Sequence, residues 1–200
     1  PRIAAFYAYA EARQIDKAKQ FFALLLQSDI ELDAVPYSIM MKALLLSNKI
    51  DEAEAFANSL IDTPRGSDYV FNHLIQFYSR TNQDEKLGAL MHRLERSMFS
   101  KPSLTSYTFY LKHLIKINKL KEAKQIIQKL TIQDKLHLDQ ILLNEYIVTL
   151  LDHNEFYEAM EVLRKVASHI DSQLVNNILV RIRDKKGVEA CEAFLKEVET

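Results

Sequence analysis

Apolar residues recur along this chain at the spacing of one helical face, in short blocks separated by polar turns. The clearest block is YTFYLKHLIKINKLKEAKQIIQKL, from Tyr107 to Leu130. Its first half carries Tyr107, Tyr110, Leu111, Leu114 and Ile115, and its second half Leu120, Ala123, Ile126, Ile127 and Leu130, which predicts two amphipathic helices folded back on each other. Asn118 stands between them. Asparagine tolerates the left-handed conformation that ends a helix better than any residue except glycine, so Asn118 is the expected stop of the first helix.

The same pattern returns along the whole sequence. A small or apolar residue followed by apolar residues at +3, +4 and +7 occurs at Ala18, Ala53, Leu87, Ala123, Ala159 and Cys191, with separations of 35, 34, 36, 36 and 32 residues. Asn48, Asn82, Asn118 and Asn154 each precede one of the four central anchors by five residues. A helix pair repeated at such a period is the signature of an α-solenoid. The expected fold is therefore all-α, a right-handed α-solenoid of about six helical hairpin repeats with a period near 35 residues. The repeats run at about 34–68, 68–103, 104–139 and 140–171, flanked by partial ones at 1–33 and 172–200.

The first helix of each repeat has its own register. An apolar residue at Tyr37, Phe71, Tyr107, Leu143 and Val175 is followed by Ser38, Asn72, Thr108, Asn144 and Asn176. Four residues before the apolar position stand Asp33, Ser67, Ser103, Asp139 and Asp171. The terminal repeats differ: Ile3 falls in the polar column, and Lys186 and Gly187 replace the turn asparagine, as expected of solenoid ends. Both polar columns have two readings. Ser, Thr, Asn and Asp in a first turn cap helices, each contributing ~1 kcal/mol, and the same groups form a ladder of hydrogen-bonding side chains for a ligand. The two roles are compatible.

Residues four and eight beyond the polar position stay within about 80° of it on the helix wheel. That stripe reads Ser38-Lys42-Leu46, Asn72-Gln76-Arg80, Thr108-Lys112-Lys116 and Asn144-Val148-Asp152. One short amide or hydroxyl per repeat, with Lys42, Arg80, Lys112 and Lys116 as candidate phosphate contacts, is what single-stranded RNA requires: an edge reader for each base and local counter-charge.

Composition narrows this picture. A net charge of -1, from 26 basic and 27 acidic residues, provides no global field for a polyanion, so nucleic-acid contact has to be local. Three glycines and four prolines are too few turn-formers for an all-β chain, and no apolar run approaches membrane-spanning length. The single cysteine excludes an internal disulfide framework, and Cys191 occupies the packing slot filled by alanine elsewhere. The six histidines include no i, i+4 pair, and no phosphate-binding glycine loop occurs, so neither a metal nor a cofactor is expected. Asp51, Glu52 and Glu54 begin a second helix, where they are expected to be solvated ends favoured by the helix dipole. Beginning at Pro1 inside an apolar pattern, the sequence reads as a piece of a longer chain, with any address signal outside it.

The period, the small residue of the second helix, the turn residue and the polar column together resemble the pentatricopeptide repeat family over nearly the whole chain. Asparagine in place of the turn glycine, and variable inter-repeat loops containing Pro64 and Pro102, are similar to its looser fungal or animal organellar members. The tetratricopeptide repeat shares fold and period, but its pattern wants small residues where Met41, Ile75, Leu111 and Ile147 stand. The resemblance implies sequence-selective binding of single-stranded RNA in the mitochondrial matrix, serving mRNA stability, processing or translation alongside other organellar gene-expression proteins. It implies no catalysis and no small-molecule substrate. It also implies base reading by the pairs Ser38/Ser67, Asn72/Ser103, Thr108/Asp139 and Asn144/Asp171, the last three giving cytosine, guanine and uracil in order, and a base sandwich by Val35, Tyr69, Thr105 and Ile141. Two other classes stay open: a protein-binding scaffold, and the helical spacer of a larger organellar RNA-processing enzyme. An inter-repeat core position remains the other reading of Tyr69.

Overall fold

The computed structural model describes residues 2–28, 32–132, 140–153, 155–166, 172–188, 191, 192 and 195; the side chains of residues 2, 131, 132, 140–145, 164–166, 172–174, 177 and 185 also lie outside the description. Among the described residues the chain is all-helical. Its helices are α1 (Arg2–Glu11), α2 (Ile15–Leu26), α3 (Ala34–Leu46), α4 (Ile50–Leu60), α5 (Asp68–Arg80), α6 (Asp84–Arg96), α7 (Leu104–Lys116), α8 (Leu120–Ile132), α9 (Gln140–Asp152), α10 (Phe156–Val166) and α11 (Ser172–Lys186). They fall into two compact units, 1–110 and 111–200, divided within α7.

Among the described residues the hairpin turns are made by one residue in the left-handed region: Asn48 (φ 55°), Asn82 (φ 54°) and Asn118 (φ 60°), with Arg13 (φ 58°) and Gly187 (φ 86°) doing the same in the terminal repeats. At Asn48 the closing bonds run from Lys49 N–H to Leu44 C=O at 2.9 Å and from Asn48 N–H to Leu45 C=O at 3.1 Å, the double closure of a Schellman motif. The Asn118 turn repeats it, with Lys119 N–H to Leu114 C=O at 2.8 Å. Asn154 lies outside the described residues.

The anchors of the second helices form the seam of the core. Ala18, Ala53, Leu87, Ala123 and Ala159 are each 0% exposed, while Cys191 is half-buried, its Sγ 3.4 Å from the Leu179 carbonyl. A small anchor lets its helix lie close to the first helix, whose Met41, Ile75, Leu111 and Ile147 are all buried. In the first unit α1 packs against α2 and α3, and α3 lies along α5 of the next hairpin. An aromatic cluster of Phe6, Phe22, Tyr37 and Phe56 fills the junction of the first two hairpins. In the second unit α9 packs on α10 and α11.

The acidic starts of the second helices depart from expectation. Glu52 pairs with Lys19 of α2, and Glu54 accepts from Lys86 of α6 at 2.5 Å and from the Tyr78 hydroxyl at 2.9 Å. Repeat stacking brings α2, α4 and α6 alongside one another, so these carboxylates find cations about one period away; Glu52 stays exposed as expected while paired, and Glu54 is half-buried. In the second unit Lys124 of α8 meets Glu158 of α10 at 2.7 Å in the same way.

Candidate nucleic-acid interface

The site begins at the first turns of α3, α5 and α7, where the two polar columns stand. Asp33 is an N-cap, its carboxylate accepting from Val35 N–H at 3.0 Å. Ser103 caps α7: its hydroxyl accepts from Ser106 N–H at 3.3 Å while its own N–H donates to the Ser106 hydroxyl at 3.2 Å, the reciprocal arrangement of a capping box. Ser67 makes no cap bond, and its Oγ is buried without a partner. Asp139 and Asp171 lie outside the described residues.

Two members of the second column, Ser38 and Asn72, are engaged between repeats. The Ser38 hydroxyl donates to the Tyr69 carbonyl at 3.4 Å and lies 3.1 Å from Nε2 of His73, so α3 reaches the first turn of α5. Asn72 is 9% exposed, and its Oδ1 accepts from the Ser106 hydroxyl at 2.7 Å. Thr108 bonds back along its own helix to the Leu104 carbonyl at 2.9 Å. Asn176 of the second unit is exposed, and the Asn144 side chain lies outside the description. The bonds of Ser38 and Asn72 follow from packing first helix against first helix, which brings the polar residue of one helix beside the opening turn of the next.

Next to this column the surface is open and apolar. Val35 is 50% and Tyr69 67% exposed, one at the second position of α3 and the other at the second position of α5, and Thr105 is exposed at the second position of α7. Tyr69 therefore does not fill an inter-repeat core; that place belongs to Phe71, which is buried. The Ile141 side chain lies outside the description.

Further along the same helices Lys42 and Arg80 are exposed, and neither makes an ion pair among the described residues. Lys112 is half-buried and Lys116 exposed in the second unit. On the second helices Lys19, Lys86 and Lys124 are paired with glutamates. Lys42 of α3 and Arg80 of α5 thus carry positive charge without an ion pair among the described residues. Burial, helped by the charge of Lys42, holds His73 below the usual imidazole range, so beside Ser38 it is a neutral hydrogen-bonding group at pH 7. A cleft of about 240 Å³ between α1 and α3, lined by Tyr7, Glu11, Arg13, Lys42 and Leu46 among others, continues this face.

Three participants went unnoticed in the sequence. Ser106 had a signal, a serine three residues after the Ser103 cap; His73 and the Tyr7 cleft had none, because their roles depend on which helices become neighbours. Among the described residues no group of histidine, cysteine or acidic side chains could hold a metal ion, and no helix is long and apolar enough to cross a membrane.

Two-helix repeats of this period are the architecture of α-solenoid proteins. No family model matches the chain, and no curated protein matches it by sequence. Solved structures do. The pentatricopeptide repeat protein PPR10 from maize superposes with a TM-score of 0.72 at 17% identity, covering 99% of this chain and 29% of that one. PPR10 in complex with an 18-nucleotide psaJ RNA element, and a form of it with three cysteines changed to serine bound to the same element, superpose with TM-scores of 0.54 at 18% identity, each covering 98% of this chain and 29% of theirs. The chain thus has the pentatricopeptide-repeat fold, and it spans under a third of the length of the proteins it matches.

Proposed function

We propose that the first-helix face binds single-stranded RNA sequence-selectively. The observation that carries this reading is the alignment of exposed Val35, Tyr69 and Thr105 beside the column Ser38, Asn72 and Thr108, with unpaired Lys42 and Arg80 further along the helices. Exposed tyrosine is costly to leave in water and useful against a base face, where stacking contributes ~1–3 kcal/mol. The RNA-bound structures of PPR10 support the same ligand class. The pairs Asn72/Ser103, Thr108/Asp139 and Asn144/Asp171 are assigned to cytosine, guanine and uracil, with Ser38/Ser67 undetermined and Asn176 continuing the column. Val35, Tyr69, Thr105 and Ile141 are assigned to the base sandwich, and Lys42, Arg80, Lys112 and Lys116 to phosphates. We place this activity in the mitochondrial matrix, in mRNA stability, processing or translation with other gene-expression proteins.

The test is fluorescence anisotropy with a random 12-nucleotide single-stranded RNA pool and a duplex of the same length. Preferential binding of the single strand, weakened in Tyr69→Ala with unchanged thermal stability, is expected. Equal binding of duplex and single strand, or no binding, overturns the reading, and a stoichiometric protein partner captured without RNA would favour a scaffold instead.

A further inference from the structure

We infer that Ser106 is a positioning residue that fixes the orientation of the Asn72 carboxamide, so that Asn72 meets a base as a hydrogen-bond donor and selects cytosine over uracil. The inference rests on the RNA-binding reading above and supplies its chemistry at one repeat.

A serine hydroxyl has one proton to give and two lone pairs to accept with. The Ser106 hydroxyl accepts the Ser103 N–H at 3.2 Å, and the Ser103 hydroxyl lies 3.2 Å away. With the Ser106 proton directed at Asn72 Oδ1, 2.7 Å away, the Ser103 hydroxyl is the donor of that pair, and both Ser106 lone pairs are filled. Ser106 is fully buried, so no water competes for these bonds. The observation that decides the direction is that Asn72 turns its oxygen, not its nitrogen, towards Ser106, and that oxygen can only accept. The carboxamide is thereby set one way round, with Oδ1 held inside the fold and Nδ2 without a protein partner among the described residues.

An amide presented by its nitrogen alone reads an acceptor. On the Watson–Crick edge of a pyrimidine the central ring nitrogen is an acceptor in cytosine and an N–H donor in uracil, so a fixed Nδ2 matches the first and opposes the second. A free asparagine would rotate and accept from uracil equally well. The residues that correspond to Ser106 in the other repeats are Pro36, Val70, Leu142 and Leu174, none of which carries a hydroxyl. Asn144, whose counterpart to Ser106 is Leu174, therefore has no such hydroxyl available at that position. The chain of bonds also joins the two members of one reading pair, Asn72 and Ser103, through Ser106.

The test is selection from a random 12-nucleotide RNA pool with the parent chain and with Asn72→Asp, Ser106→Ala and Ser106→Thr. Asn72→Asp removes the donor and identifies the base that this residue reads, expected to be a cytosine in the parent. In Ser106→Ala the cytosine-to-uracil ratio at that base should fall by about tenfold, the scale of one hydrogen bond, while neighbouring bases keep their preference. Ser106→Thr retains the hydroxyl and should restore the ratio. Circular dichroism checks that each variant is folded; should Ser106→Ala not fold, Ser106→Cys keeps a side chain of similar size but offers only a weak donor and is expected to relax the same base. A Ser106→Ala or Ser106→Cys protein that still selects cytosine, or an Asn72→Asp protein with an unaltered motif, overturns this inference and leaves RNA binding standing. No enriched RNA with the parent chain overturns both.

Discussion

The hydroxyl of Ser100 donates to the Gly66 carbonyl at 2.8 Å, tying the loop after α6 to the loop after α4. Ser97 adds a second tie to the Ile61 carbonyl at 2.6 Å, and its hydroxyl also accepts from the N–H of Ser100 at 3.1 Å. Gly66 is required there for space: a Cβ would meet the Leu60 carbonyl oxygen at 2.3 Å and Ser100 Oγ at 2.5 Å. The serine could turn away, but the carbonyl belongs to the end of α4. Gly66→Ala is therefore expected to destabilise the chain by ~1–3 kcal/mol through overpacking. Ser100→Ala is expected to cost ~1–3 kcal/mol by leaving a buried carbonyl unpaired. Urea denaturation of each variant measures both; a midpoint unchanged from the parent would disprove the tie.

Glu54 gives the stack an acid sensitivity. Burial pushes its pKa up, but hydrogen bonds from Lys86 and Tyr78 and the charge of Lys86 outweigh burial and hold it below the usual glutamate range. A depressed folded pKa means stability that is present above the unfolded pKa and lost as pH falls through the folded one. His73, depressed by burial and by Lys42, acts in the same direction at higher pH: stability falls as pH drops below the usual imidazole range towards the folded value. Thermal melts from pH 7 down to pH 3 should show both losses. Glu54→Gln should flatten the acid limb, at a cost near neutrality of ~1 kcal/mol for a partly exposed pair. An acid limb identical to the parent's would rule out Glu54 as its source.

The helical hairpins were legible because their signals are local. Asn48, Asn82 and Asn118 announce the left-handed turn through their own chemistry, and the anchors Ala53, Leu87 and Ala123 announce close helix contact by recurring at one position. The fate of Glu52 and Glu54 was not legible, because a helix dipole is a property of one helix while Lys19 and Lys86 arrive from neighbours. The columns at Ser38, Asn72 and Thr108 were visible as columns. The inter-repeat bonds of Ser38 and Asn72 were hidden, since His73 and Ser106 belong to the following repeat and nothing local marks which atoms meet across repeats. Arg13 was missed for another reason: arginine is a poor left-handed residue, so its own chemistry does not announce the turn.

Tyr69 and the cations separate affinity from stability. With 67% of its surface in water, Tyr69 contributes little to folding, so Tyr69→Ala should leave the melting temperature within about a degree while weakening single-stranded RNA binding by ~1–3 kcal/mol. On the proposed reading Lys42→Ala and Arg80→Ala remove one phosphate contact each, and the logarithm of affinity against the logarithm of salt should become shallower by about 0.7 per contact. Titrations between 50 and 300 mM salt, of the order over which counterion release is resolved, decide this. A Tyr69 variant that melts early would place the ring in the core instead.

Leu130 and Ile126 of α8 test the helix faces. Leu130 is 1% exposed, whereas Ile126 is only half-buried. Leu130→Ala should cost ~2–5 kcal/mol, and Ile126→Ala clearly less, because its side chain already meets solvent. Denaturant midpoints for the two variants should therefore be well separated, and equal losses would mean that the face buried by α8 is not the one described.

Arg13 is the remaining strained position. Its φ of 58° puts a side chain with a Cβ where asparagine stands in three other repeats and glycine in a fourth. The left-handed conformation costs a residue of this kind ~1–2 kcal/mol, a penalty that glycine escapes and asparagine reduces. Arg13→Asn keeps a side chain of ordinary flexibility in the unfolded chain and relieves part of the strain, so it should stabilise by ~0.5–1 kcal/mol. Arg13→Gly relieves more strain but gives the unfolded chain more freedom, and the two effects should leave it no better than asparagine. Arg13 also lines the cleft between α1 and α3, so both variants remove one positive charge from that face. A chain that gains stability while losing some RNA affinity at low salt would show that the strain is retained for the charge. A loss of stability in Arg13→Asn would show instead that the guanidinium holds the turn through contacts stronger than the strain it bears.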